Sequence, residues 1–391
     1  FNVEGDALTK AEVLAEIRNG ATSACRRAAY AEFGRVLGEN KKFFSLVTNT
    51  LAALKVADDE WRELDSAEAS RDVASQINPE IVTAMIKAVR ESYPRLAHRY
   101  YEWKAKKCGV ARLHPADWRM PLPDARAQDI PWVQAQEVVL TAYQKFSPEM
   151  AQMGQQFFDA GWIDADPREG KAACDFANPV TPSHHPYILM NYRGHADDVK
   201  MLAHNLGHGI HQILSAGQGF LKAPPQPVLA RTASVLGEML VFQEMLSRED
   251  DLIQRRAMIA AKVEGMLDAV VRKTALFVFE DKVQQERKDK GELSPERLSE
   301  VWQEVRKESF GASVNFDVPG AENLWMETPH LFHAPYSVSV FGDCLVNALY
   351  SDYTKAADQP AFAAKCVNLF KAGGTKRQGV ALKDFGYDAA T

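Results

Sequence analysis

The stretch from residue 198 to residue 215 constrains the fold more than any other part of the chain. It reads Asp-Val-Lys-Met-Leu-Ala-His-Asn-Leu-Gly-His-Gly-Ile-His-Gln-Ile-Leu-Ser. His204 and His208 are four residues apart, so both imidazoles project from one face of a helix, where they could hold a single metal ion. We therefore predict a helix over residues 198–215 with a candidate site on one face.

The spacing is that of the H-E-x-x-H motif, in which two histidines bind zinc and a glutamate acts as general base. Asn205 stands at the glutamate position. An amide cannot take a proton from a metal-bound water, so the base of that mechanism is missing. A second stretch, residues 231–246, follows after a loop and predicts another helix.

Together the two stretches resemble the oligoendopeptidase F branch of the thimet oligopeptidase-like zinc peptidases. The family motif T-L-A-H-E-L-G-H-G-x-H-Q matches residues 201–212, and E-T-A-S-x-x-G-E-M-L matches residues 231–240. The resemblance implies that His204 and His208 are remnants of zinc ligands and that Arg231 stands at the third ligand position. A guanidinium offers donors and no acceptor, and it stays charged. We therefore expect no bound metal.

Glu238 lies about 10 Å from position 231 along the predicted helix, so it cannot replace the lost ligand without a two-turn shift. Three alternatives for this site remain open. His211 shares the stripe of His204 and His208, which makes a three-histidine metal site conceivable. Arg231, with those histidines and Asn205, could instead form an anion pocket, or it could pair with Glu238 or another internal acid.

A third part of the family machinery also departs from the pattern. Residues 329–350 match the family, whose tyrosine-rich run before F-G-D carries hydroxyls that donate to the oxyanion of the tetrahedral intermediate. Here Ser337 and Ser339 occupy that run, and His333 and Tyr336 are the remnants. The resemblance thus implies lost oxyanion donors in addition to the lost base and ligand.

The expected fold is mainly α-helical: the helical catalytic lobe of the oligoendopeptidase F type, with a small antiparallel sheet beside the zinc-helix position. Residues 1–130 are predicted as an N-terminal helical part and residues 131–391 as the peptidase-like core, joined in one continuous lobe. Residues 185–192 alternate as a strand does. In the family, the edge of this sheet pairs with the peptide substrate. The candidate ligand groove consists of His185, Tyr187, Tyr192 and Arg231.

Composition excludes other classes of function. The 391 residues carry a formal net charge of -6 and no dense basic cluster, which argues against nucleic-acid binding. No apolar run approaches the roughly 20 residues of a transmembrane helix. The five scattered cysteines suggest reduced thiols, hence a cytoplasmic location, or the mitochondrial matrix if a targeting segment preceded Phe1.

These observations predict a catalytically inactive relative of oligoendopeptidase F that acts as a binding or structural subunit. Its expected partner is a protein or peptide within a larger assembly, and no cofactor is expected. The alternative is a zinc metallo-oligopeptidase that hydrolyses short peptides through an atypical site, in which case zinc is the cofactor.

Overall fold

Helices dominate the computed structural model of the chain. It describes residues 1–123, 125–126, 129–172, 174–328, 330–333, 336 and 339–387. The helices are α1 (Lys10–Asn19), α2 (Ser23–Glu39), α3 (Lys41–Trp61), α4 (Ala69–Ser75), α5 (Pro79–Ser92), α6 (Arg99–Lys107), α7 (Trp132–Phe146), α8 (Pro148–Asp159), α9 (Ala196–Ser215), α10 (Pro227–Arg248), α11 (Leu252–Leu267), α12 (Lys273–Lys290), α13 (Pro295–Phe310), α14 (His330–His333), α15 (Ser339–Lys355), α16 (Gln359–Lys371) and α17 (Gln378–Ala381). The strands are β1 (Asn2–Val3), β2 (Asp6–Ala7), β3 (Ile163–Asp164), β4 (Phe176–Asn178) and β5 (Tyr187–Leu189). The prediction of a mainly α-helical fold is confirmed.

Backbone contacts group the chain into two units, each built from separate segments. The first unit comprises residues 1–74, 82–123 and 259–337, and the second comprises residues 75–81, 124–258 and 338–391. Both predicted motif helices, α9 and α10, lie in the second unit. The predicted division near residue 130 stays a prediction. Among the described residues, there is no helix with the length and hydropathy that a bilayer crossing requires.

Local signals in the first unit determine where its helices begin. The Thr9 side chain accepts the backbone N–H of Glu12, and the Glu12 carboxylate accepts the backbone N–H of Thr9 at 2.7 Å, which forms a capping box at the start of α1. Thr22 caps α2 and Ser294 caps α13 through the same kind of side-chain contact. Pro94 removes a backbone donor, and the chain forms a π turn over Pro94–His98 instead of a continuous α-helix.

Close packing of α9 against α10 forms the centre of the second unit. A methyl group added at Gly207 would lie 2.5 Å from the carbonyl oxygen of Ala233, and one at Gly237 would lie 2.9 Å from the carbonyl oxygen of Ala203. Only glycine allows two backbones to approach so closely. Tyr143 of α7 adds a hydrogen bond of 2.9 Å from its hydroxyl to the same Ala203 oxygen. These contacts hold α9 and α10 in one register.

The small sheet of the second unit lies beside α9. In the described residues its strand order is β3-β5-β4. The antiparallel pairing that the sequence predicted holds for β4 and β5, whereas β3 adds to β5 in parallel. Ile188 of β5 is buried in the core, and its neighbours Tyr187 and Leu189 therefore point to the outer face of the sheet.

Candidate functional site

His204 and His208 lie together on one face of α9, as their spacing predicts. Their ring centroids are 4.8 Å apart, and the ring planes meet at 79°. The stretch from Met201 to Ile210 is otherwise buried or nearly so, which fixes the helix and the direction of both imidazoles. The helix therefore presents two imidazoles at close range on a face that adjoins α10.

Glu238 of α10 binds the Nδ1 nitrogen of His204. Its Oε1 lies 2.6 Å from His204 Nδ1, and its other carboxylate oxygen lies 3.6 Å from the Lys200 ammonium. A carboxylate is an acceptor, so this contact places the proton of neutral His204 on Nδ1 and leaves Nε2 as the unprotonated nitrogen. In metal sites, a carboxylate in this position orients the histidine ligand.

His208 sits in a largely buried environment with positive charge nearby. Burial is the main reason that the pKa of His208 falls to about 3, and the neighbouring His204 and Arg231 lower it further. The guanidinium is thus close enough to act electrostatically on the imidazole. His208 is neutral over the ordinary pH range, and a cation already occupies its surroundings.

Arg231 binds an acid from a third helix. Its Nε and Nη2 atoms donate to Asp343 Oδ1 of α15 at 3.2 and 3.1 Å. The Asp343 side chain is buried, whereas that of Arg231 is 29% exposed. Of the alternatives left open by the sequence, the structure therefore shows the pairing of Arg231 with an internal acid, and that acid is Asp343.

Asn205 is buried in α9 next to the histidines. It is 1% exposed, and its Nδ2 has no hydrogen-bond partner among the described residues. A buried amide without a partner costs free energy. It also supplies neither a basic site nor a proton acceptor strong enough to activate water.

The side chains present do not match a zinc site. Within the described residues, no group of three or more His, Cys, Asp or Glu side chains is arranged to hold a metal ion. His211 is fully buried against Phe370 and hydrogen-bonds to the backbone of Ala230, so it does not complete the pair formed by His204 and His208. The position that the family resemblance assigns to the third ligand holds the Arg231 guanidinium, which offers a metal no lone pair.

The predicted groove residues on or near the sheet lie in different environments. His185 stacks in parallel on Trp162, with ring centroids 4.0 Å apart. Tyr192 donates its hydroxyl to the Ile130 carbonyl at 2.6 Å, and burial raises its pKa to about 12, so it is part of the packing. Tyr187 is 51% exposed and lines a cavity of about 270 Å³ on the outer face of the sheet.

The cavity on the sheet is mostly apolar. Besides Tyr187, its lining side chains include the half-exposed Phe176 and Val180 and the strand residues Leu189 and Asn178. Exposed apolar side chains on a sheet face indicate a surface that another chain can cover. Of the four predicted groove residues, Tyr187 lines this cavity, and His185, Tyr192 and Arg231 are not among its lining residues.

The predicted oxyanion remnants belong to the first unit. Tyr336 is fully buried, with its ring 5.2 Å from that of Phe277 and its hydroxyl without a partner among the described residues. Its backbone N–H donates to the Glu280 carboxylate, whose pKa burial raises to about 8. His333 is exposed at the end of α14. Ser337 lies outside the described residues, as does the side chain of Ser339.

Two contacts that define the site were not predicted from the sequence. Glu238 meets His204, and Asp343 meets Arg231. The first contact follows from a pairing of α9 and α10 in which Gly207 faces Ala233. The two glycines, Gly207 and Gly237, were the available signal for that pairing. The second contact joins residues 112 positions apart, and no local pattern reports it.

Comparison with known proteins agrees with the fold. The model of Peptidase family M3 matches residues 21–391. Oligopeptidase PepF of Bacillus subtilis is 24% identical over 374 residues, covering 93% of this chain and 54% of that protein. Chromosomal oligoendopeptidase F of Lactococcus lactis subsp. cremoris is 24% identical over 278 residues, covering 70% and 45%.

The crystal structure of oligoendopeptidase-F from Enterococcus faecium superposes with a TM-score of 0.74 at 18% identity, covering 99% of this chain and 62% of that one. This likeness shows the fold. The chain spans about half the length of the curated relatives named above. Because the family match extends over nearly all of its residues, this chain belongs to peptidase family M3, in the oligoendopeptidase F branch.

Proposed function

We propose that this chain is a catalytically inactive member of its family that acts as a binding or structural subunit. The observation that carries the proposal is the ion pair between Arg231 and the buried Asp343, beside His208. The pair holds a guanidinium, which has no lone pair to offer a metal, at the position that the family resemblance assigns to a zinc ligand. A divalent cation there would gain no third ligand atom, and it would have to approach a guanidinium that already holds the nearby carboxylate.

The chemistry of the neighbouring residues supports the same conclusion. Loss of a general base typically costs roughly 10²- to 10⁴-fold in rate, and Asn205 cannot serve as that base. Loss of an oxyanion donor costs about 10²- to 10³-fold more, and the Tyr336 hydroxyl is buried in the first unit. Without a bound metal there is no catalysed hydrolysis whose rate these two losses could reduce further.

The surface that supports a binding role is the sheet beside α9. Strand β4 is an edge strand in the described order, and the outer face next to it carries Phe176, Tyr187 and the cavity. A segment in extended conformation can add to such an edge through main-chain hydrogen bonds while its apolar side chains fill the cavity. The proposed partner is therefore an extended, apolar peptide or protein segment.

One observation favours the alternative, a zinc metallo-oligopeptidase with an atypical site. The contact of Glu238 with His204 Nδ1 is the arrangement that orients a metal-ligating histidine. The same contact also satisfies a half-buried imidazole without any metal. We favour the inactive protein because Arg231 adds a charge that works against metal, whereas Glu238 fits either function.

A peptidase assay in the presence and absence of a chelator tests the first half of the proposal. We expect no cleavage of internally quenched short peptides by the purified chain at any zinc concentration. The control is the His204→Ala variant prepared identically. Because this variant lacks one of the two imidazoles that could hold zinc, any cleavage it shows comes from a contaminating peptidase. Cleavage by the native chain that a chelator abolishes, and that His204→Ala lacks, contradicts the proposal.

A peptide-binding assay tests the second half. Fluorescence anisotropy with short apolar peptides should give saturable binding, and Tyr187→Asp should weaken it at least about tenfold because it places a charge in the cavity. Leu221→Asp is the matched control, since Leu221 is 87% exposed and does not line the cavity. Equal affinities for all three proteins contradict a binding role for this face.

A further inference from the structure

Helix α3 in the first unit buries a largely polar face. The buried residues on this helix include Ser45, Asn49 and Asp59. Asn49 accepts the backbone N–H of Leu293 and donates to its carbonyl, both at 2.9 Å. The helix is thus anchored by polar contacts to one backbone segment and leaves several of its largest apolar side chains out of the packing.

Those side chains form a stripe on the solvent side of α3. Phe43 is 63%, Leu46 59%, Leu54 61% and Trp61 90% exposed. Positions 43, 46, 50, 54, 57 and 61 recur with the period of a helix, so they form one face about 27 Å long. Single exposed apolar residues are ordinary, but four large apolar side chains on one helical face, with the small Thr50 and Ala57 between them, mark a surface that another element covers.

We propose that this stripe, the α3 face formed by Phe43, Leu46, Leu54 and Trp61, binds the same stripe of a second copy of the chain, with the two α3 helices antiparallel. A two-fold contact of this kind requires a self-complementary surface. If the two-fold axis of this dimer passes near residue 52, the Phe43 ring of each copy lies at the same height along the helices as Trp61 of the other copy. Small Thr50 then lies opposite Leu54.

The charges at the rim of the α3 face favour this arrangement. Lys42 and Glu60 are both exposed and lie on the same side of the stripe, at opposite ends of α3. In an antiparallel helix pair, like flanks face each other, so Lys42 of each copy lies beside Glu60 of the other. In a parallel pair opposite flanks face each other, and the two ends carrying Lys42 and Glu60 lie apart, so Lys42 of one copy would not meet Glu60 of the other. The surface therefore fits a second copy in the antiparallel orientation.

Sedimentation velocity of the full chain over a range of concentrations tests the proposal. We expect the apparent mass to approach twice that of one chain as concentration rises, and Leu54→Asp to return it to that of a monomer. Leu221→Asp, which places the same charge on an exposed apolar site of the second unit, should leave the dimer intact. A native chain that stays monomeric at about 0.1 mM overturns the proposal, and so does a dimer that Leu54→Asp does not weaken.

Charge exchange tests the orientation. Lys42→Glu and Glu60→Lys should each weaken the dimer roughly tenfold, because each places like charges together, and the double variant should recover the native dissociation constant. Additive losses in the double variant overturn the antiparallel pairing. Thermal unfolding of the variants at low concentration, where the chain is monomeric, separates an effect on association from an effect on folding.

Crosslinking provides an independent measure of the same geometry. In the Leu51→Cys variant, which lies near the proposed two-fold axis, a short bismaleimide should join residue 51 of one copy to residue 51 of the other. The Trp61→Cys variant should not crosslink in this way, because the two positions 61 are about 27 Å apart. The native chain supplies the baseline for its five cysteines. Crosslinking through position 61 and not through position 51 overturns the antiparallel dimer.

Discussion

The helix pair α9 and α10 has a packing face and a site face, and the two differ in how well they keep the residues of the family motif. On the packing face, Gly207 and Gly237 let the backbones meet at distances that no other residue allows. On the site face, Asn205 and Arg231 stand where the family resemblance places a base and a metal ligand. The packing of a helix pair and the chemistry on its surface depend on different residues, so one can persist while the other is lost.

The packing face should be the more sensitive to a small change. In Gly237→Ala the added methyl would lie 2.1 Å from the Tyr143 hydroxyl and 2.9 Å from the Ala203 carbonyl oxygen. Because this forces a backbone to move, we expect the free energy of unfolding to fall by about 3 kcal/mol. Urea denaturation followed by circular dichroism measures it. The control is Gly217→Ala, where nothing lies near the added methyl; equal losses in both variants contradict the packing account.

The next effect concerns pH, through His211 on the packing face. Burial lowers its pKa from 6.5 to about 4. Below pH 6.5 the unfolded chain binds a proton that the folded chain does not, so stability falls as pH drops from 6.5 towards 4, by about 1.4 kcal/mol per unit from this group. Above pH 6.5 the contribution is constant.

His211→Gln should therefore flatten the fall in stability between pH 6.5 and pH 4, leaving about 2 kcal/mol less loss at pH 5 than in the native chain. The measurement is the midpoint of urea unfolding at half-unit pH steps. His208, whose pKa is about 3, keeps its own contribution in this variant. A pH dependence identical to that of the native chain contradicts a neutral, buried His211.

On the site face, the ion pair between Arg231 and Asp343 should contribute less. The Arg231 side chain is 29% exposed, so solvent screens part of the interaction. We expect Arg231→Met to lower the free energy of unfolding by about 1 to 2 kcal/mol, because the Asp343 carboxylate loses its cation. The double variant with Asp343→Asn should recover part of that loss. Additive losses, measured as a double-mutant cycle, contradict a direct interaction.

The smallest effect, and one of opposite sign, is expected at Asn205. Its amide is buried and its Nδ2 has no partner in the described part of the chain. Asn205→Leu removes an unsatisfied polar group, so stability should stay constant or rise by up to about 1 kcal/mol. Thermal and urea unfolding both report it. A large loss would mean that Asn205 has a structural role that the contacts do not reveal.

Local sequence signals were enough to predict a mainly α-helical fold, the two motif helices and the strand near them. The helix over residues 198–215 and the strand around Ile188 both appear in the structure. Each of these signals involves residues within one helix or one strand. The helix predicted to begin at Arg231 begins earlier, at Pro227, because proline is tolerated in the first turn.

The pairings that define the candidate site could not be predicted in the same way. Asp343 binds Arg231 across 112 positions, and Glu280 holds the backbone of Tyr336 across 56. Strand β3 pairs with β5 in parallel, and with only two residues it carries no alternating pattern that the sequence could reveal. These contacts depend on how distant elements pack, and neither periodicity nor a turn signal reports that packing.

The most direct test of the central claim is zinc affinity, measured by competition with a metal indicator, for the native chain and for the double variant Asn205→Glu with Arg231→Glu. The account predicts negligible affinity for the native chain and tight, roughly stoichiometric binding for the double variant, because His204 and His208 then face an added carboxylate instead of a guanidinium. Circular dichroism confirms that both proteins are folded. Tight binding by the native chain would show that Arg231 does not exclude the metal and would contradict the account.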